Sequence, residues 1–170
     1  MRRLLPLAAL LLAVPALAQP QVYRSGLVVT LPEGWAGPAE VDESGLPGLA
    51  SYRFENRSDS SALRGAVLHV ERLTGLNPVM RERWQQGRVP YGYHGARPVA
   101  PLSASPLPGA VGFRTEREGM VGHVYFLVRG PVYWAIQVEA PEAVFTPHEA
   151  VLLDLVRTLG LEVANSTGGE

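Results

Sequence analysis

The sequence predicts an α+β fold: an antiparallel β-sheet of about six to seven strands, with one mid-chain helix and one C-terminal helix packed on it. Three observations carry this. Several runs of five to ten residues alternate apolar and polar side chains with period 2 and end at Gly, Pro or Asn turns. The period changes to that of a helix only twice, after Asn77-Pro78 and near the C-terminus. The last strands follow one another through turns too short to hold a crossover, which makes them an antiparallel meander.

The chain opens on Met1-Arg2-Arg3 and an apolar run from Leu4 to Leu17, ending Ala16-Leu17-Ala18. A basic start, an apolar middle and a small-x-small exit are the parts of a secretory signal peptide over residues 1–18. The run is about 14 residues, short for a bilayer span. The expectation is a mature protein from Gln19, exported to the periplasm or beyond, with no membrane anchor after cleavage. Residues 19–162 form its single domain and residues 163–170 a flexible polar tail.

The elements follow in order. Residues 19–25 read as a lead-in, and Leu27-Val28-Val29-Thr30-Leu31 as a strand stopped by Pro32-Glu33-Gly34-Trp35. Residues 37–48 are an acidic loop. Residues 49–56 alternate, with Ala50, Tyr52 and Phe54 apolar, and residues 64–73 form the next strand. Asn77 caps a helix over 79–86 whose first position is Pro78, where a missing N–H costs nothing. Met80 and Trp84 lie one turn apart, and Gly87 stops the helix. Residues 97–102 make an edge strand, which tolerates proline. Strands over 110–117, 120–128 and 132–139 follow. On these the alternation puts Val124, Phe126, Val128, Val132, Trp134, Ile136 and Val138 on one face. The other, mixed face takes His123, Tyr125, Leu127, Tyr133, Ala135, Gln137 and Glu139. Thr146-Pro147-His148-Glu149 reads as a capping box opening the last helix. Its stripe is Val151, Leu152, Leu155, Val156 and Leu159, closed by Gly160.

The composition excludes several chemistries. Removing 18 residues from 170 leaves 152, with 13 Arg against 16 Asp and Glu and a net charge of −3. That balance argues against nucleic-acid binding. At 46% hydrophobic and 18% charged, the chain can bury a core. Cysteine is absent, which removes thiol nucleophiles, iron–sulfur clusters and disulfides. Lysine is absent too, which removes Schiff-base chemistry and leaves any anion site to guanidinium.

The order β-β-β-α-β-β-β-β-α, with three local features, resembles the PsbP-like fold family. These secreted bacterial proteins are similar to the extrinsic P-subunit of photosystem II. The features are the strand running into Leu31-Pro32-Glu33-Gly34-Trp35, the single helix after the third strand, and the Tyr133-Trp134 strand. That strand leads through Ala140-Pro141-Glu142 to the final helix and Leu159. The resemblance covers residues 22–162 and implies an α/β/α sandwich and a non-catalytic binding or assembly role. It transfers no site residue.

Candidate sites come from the residues alone. The segment from Arg88 to Arg97 holds Arg88, Tyr91, Tyr93, His94 and Arg97, and Tyr with Arg is a frequent interface anchor. It reads as a binding surface or as a connector whose rings cover the sheet. The mixed face adds His123, Tyr125 and Tyr133, with His69 and Gln137. His69 and Glu71, two apart on one strand, are candidate metal ligands if His123 faces the same way. The bland alternative is a hydrogen-bonded, partly buried His. There is no Gly-x-Ser-x-Gly elbow and no Ser-x-x-Lys, so a small hydrolase is the least supported alternative. The expectation is therefore a monomeric, non-enzymatic binding or accessory protein without a cofactor, acting on an unknown protein partner or small ligand. A periplasmic small-ligand or metal carrier is the alternative.

Overall fold

The structure, a computed structural model, describes residues 19–38, 48–75, 77–86 and 97–162. The expected signal peptide and polar tail lie outside these residues. So do Arg88, Tyr91, Tyr93 and His94.

Period-2 patterning produces the long strands. β1 (Gln21–Val22), β2 (Leu27–Val29) and β3 (Trp35–Ala36) open the chain, followed by β4 (Leu49–Asn56) and β5 (Val67–Thr74). Helix α1 (Pro78–Gln85) starts at the proline expected at its first position. β6 (Arg97–Pro101), β7 (Val111–Arg117), β8 (Met120–Arg129) and β9 (Val132–Pro141) lead to α2 (Glu142–Arg157) and β10 (Gly160–Leu161). Seven strands form one antiparallel sheet in the order β3-β4-β5-β9-β8-β7-β6, which matches the expected size. β6, with Pro98 and Pro101, sits at its edge.

A second sheet, β1-β2-β10, pairs the chain's start with its end. The strand at Leu27 belongs here and not to the main sheet. Gly160 is its last-strand residue, not a helix stop. A Cβ on Gly160 would lie 2.8 Å from that of its pairing partner Val28, so glycine is what lets β10 close on β2.

The core lies between the main sheet and α2. Phe145, Leu152, Leu155 and Val156 of α2 pack with Trp134, Ile136, Val138, Tyr125 and Leu127, and with Leu27, Val29 and Leu161 of the small sheet. On the opposite face a smaller cluster joins Val124, Phe126 and Ala135 to Leu73 and Phe113. The Arg81 guanidinium of α1 stands 5.6 Å over the Tyr133 ring on that face, so the helices cover opposite sides of the sheet. The layers are α/β/α.

Further expectations need correction. The β8–β9 hairpin turns on the two residues Gly130 and Pro131, pairing Arg129 with Val132. A two-residue loop pairs odd numbers with even ones, so His123, Tyr125 and Leu127 face the same side as Val138, Ile136 and Trp134. Val124 and Phe126 share the other side with Gln137 and Ala135.

Helix α2 begins at Glu142, four residues before the expected capping box, and no side chain caps it. The Glu142 N–H donates instead to the Gly119 carbonyl in the β7–β8 turn at 3.2 Å. Pro147 then lies inside the helix, where it removes a single backbone bond. The earlier start sets the stripe at Phe145, Leu152, Leu155 and Val156, and leaves Val151 52% exposed.

Candidate functional site

A cleft of about 260 Å³ opens between β8 and the first turns of α2. Its walls are Leu102, Arg114, Val121, Gly122, His123, Phe145, Thr146 and Glu149. The local rules that place them are simple. Alternate residues of a strand share a face, so His123 stands beside Tyr125 on β8, and Arg114 is the register partner of His123 on β7. Residues three and four apart share a helix face, so Phe145 and Glu149 both reach over the strand.

His123 is the centre of the site. Its Nδ1 lies 3.1 Å from the Tyr125 hydroxyl, a hydrogen bond between two buried groups. Its ring meets Phe145 edge-on at 5.2 Å. Its Nε2 lies 3.6 Å from Oε1 of Glu149, within ion-pair range but too long for a hydrogen bond. The His123 side chain is 8% exposed and that of Glu149 is 48% exposed.

Burial pushes the His123 pKa down from its ordinary value; Glu149 pulls it up in part, and Arg114 pushes it down again. The imidazole is therefore neutral at pH 7. Burial, with the Glu149 charge second, pushes the Tyr125 pKa up, so the phenol keeps its proton. The site thus holds a neutral ring, an intact phenol and two half-exposed opposite charges. Thr146 is the cleft's hydroxyl, and among the described residues it makes no hydrogen bond to His123 that would activate it.

These electrostatics are measurable. Glu149→Gln is expected to lower the His123 pKa further, because it removes the carboxylate that favours the proton. Arg114→Gln is expected to raise it. An NMR titration of the His123 ring reads both, and an unmoved pKa in either variant would place that charge away from the ring.

The solution structure of cyanobacterial PsbP (CyanoP) from Synechocystis sp. PCC 6803 matches 85% of this chain and 92% of that chain, with a TM-score of 0.54 and 12% sequence identity. The fold is PsbP-like. No protein-family model and no curated protein matches the sequence.

The PsbP-like sheet separates several residues the sequence had grouped. His69 and Glu71 pair with Gln137 and Ala135, so they lie on the face opposite His123. The strand between them bars one ion from all three. Among the described residues, no group of three His, Cys, Asp or Glu is arranged to hold a metal ion. Tyr133 is also on the opposite face, beneath Arg81. Gln137 is buried there, donating to Oε2 of Glu139 at 2.9 Å. Arg117 donates to the same carboxylate's Oε1 at 2.6 Å. This face carries a buried polar network around Glu139 beside the apolar cluster of Val124, Phe126 and Ala135. Arg97 opens the edge strand β6, exposed, and lines a separate polar hollow of about 360 Å³ with Glu116, Arg117, Glu118 and Glu142.

The structure brings His123 and Tyr125 together, both anticipated as binding residues. It adds Arg114, Phe145, Thr146 and Glu149, which the sequence reading passed over. Thr146 and Glu149 had been assigned to a helix cap. The signal that would have found them is Pro141, which permits a helix start at 142 and so turns Phe145 and Glu149 onto one face.

Proposed function

We propose that the chain is an exported, non-enzymatic accessory protein that docks a partner through the cleft beside His123. The observation that carries this reading is the pairing of His123. Among the described residues its hydrogen-bond partner is a buried phenol, which holds the ring in place without making it the base of a nucleophile. The PsbP-like fold supports an accessory role, and the leader-like residues 1–18 support export. The cleft volume, about 260 Å³, falls below the roughly 300–1,000 Å³ usual for small-molecule sites. That favours the tip of a partner's side chain over a carried ligand.

Native mass spectrometry on the untagged protein from its own exported fraction tests the reading. A second protein retained on the chain, and lost when Thr146 is replaced by Trp to fill the cleft, is the expected result. Turnover of a substrate that disappears in His123→Ala would overturn it.

A further inference from the structure

The cleft beside His123 carries an unbalanced charge, and this names the chemistry of its occupant. Arg114, the cation on its wall, is already engaged: its Nη2 lies 3.3 Å from Oε1 of Glu116. Among the described residues Glu149 has no such cation. Its ion-pair partner among the described residues is His123, at 3.6 Å. The ring is one that burial keeps neutral. The carboxylate is half-exposed at the mouth and flanked by Leu102, Val121 and Phe145, apolar walls that strengthen a charge–charge contact relative to open water. Further in, the Phe145 ring is fixed against His123.

We infer that the cleft accepts a cationic side chain, an arginine or lysine, from a protein partner, with Glu149 as its counter-charge. This rests on the docking reading above and goes beyond it by fixing the sign of the group received. A guanidinium or ammonium enters past Thr146, pairs with Glu149, and lays its methylene stem along Leu102 and Phe145. Tyr125 holds His123 in place beneath it and makes a positioning residue, not a catalytic one. An arriving cation also disfavours the protonated ring, so docking lowers the His123 pKa. That gives the binding a spectroscopic signature which mere structural support would not produce.

The test is an NMR titration of the full exported chain with three capped tripeptides, acetyl-Gly-Arg-Gly-amide, its Leu analogue and its Glu analogue. The expected result is saturable shifts of the His123 ring and Thr146 amide with the Arg peptide, at about tenfold lower concentration than with the other two. The His123 pKa falls on saturation. Glu149→Gln abolishes the preference, and Arg114→Gln retains it. Glu149 is half-exposed, so its variant folds, and the unchanged dispersion of core resonances such as Trp134 verifies this. A Glu peptide that fills the cleft, or a preference indifferent to Glu149→Gln, overturns the cation assignment and leaves docking intact. Failure of every peptide, together with a native partner whose binding shifts no cleft resonance, overturns both.

Discussion

Replacing Gly122 by alanine is expected to destabilise the protein by about 3 kcal/mol, from overpacking where nothing can yield. Gly122 sits in β8, paired with Glu139 in the centre of the sheet. An added Cβ would strike the Val138 carbonyl oxygen and come within 2.8 Å of the Glu139 Cβ and 2.9 Å of its Cα. Two of these three contacts are backbone atoms of the neighbouring strand, which its own ladder holds on both sides. The third belongs to a carboxylate fixed by Arg117 and Gln137. For a domain of this size such a loss lowers Tm by roughly 10 °C. A thermal melt reads it. A fall of 2 °C or less would show that β8 and β9 part more easily than the register implies. The variant also bears on the cleft, because Gly122 and His123 are neighbours on its wall.

The second large effect is on α2. Leu155→Asp is expected to abolish cooperative folding. Leu155 is 5% exposed and packs in the main core cluster, so the substitution buries a carboxylate with no partner, at a cost of several kcal/mol against a total of about 5–15 kcal/mol. Val151→Asp, one turn earlier on the same helix face but 52% exposed, is the matched control. It is expected to change stability by about 0.5 kcal/mol or less. Urea unfolding followed by tryptophan fluorescence separates them. Equal effects in the two variants would mean that Val151 is covered as closely as Leu155, against the exposure described.

These two positions also mark where the sequence was legible. The long strands were readable because eight to ten alternating residues carry their own period, and the edge strand because its prolines suit no other place in a sheet. The start of α1 was readable because Asn77-Pro78 is a local signal. The two-residue strands β1, β3 and β10 were not, since a period cannot show in two residues, and β10 pairs with β2 from the other end of the domain. The start of α2 was misread because Thr146-Pro147-His148-Glu149 imitates a capping box. The true first donor is satisfied by Gly119, a contact across the fold that no local pattern encodes.

The sheet faces were misassigned for a similar reason. One loop residue more or fewer at Gly130-Pro131 reverses which residues of β8 and β9 face together. That reversal is what moved His123 and Tyr125 from a mixed surface to the α2 side, and His69 and Glu71 away from them. His123 and Tyr125 were legible as unusual residues. Their partners Arg114 and Glu149 became visible only once β7 and α2 were placed.

The most direct test of the account is site-specific photocrosslinking in the exported fraction. A small diazirine-bearing aliphatic residue, too short to fill the cleft as tryptophan does, is placed at Thr146 in the cleft mouth, and in a second protein at exposed Val99 on β6. The account predicts one discrete protein adduct at position 146 that Glu149→Gln weakens and the Arg tripeptide displaces, with no such adduct at position 99. An adduct equal at both positions, or one at 146 indifferent to Glu149 and to the peptide, would contradict it.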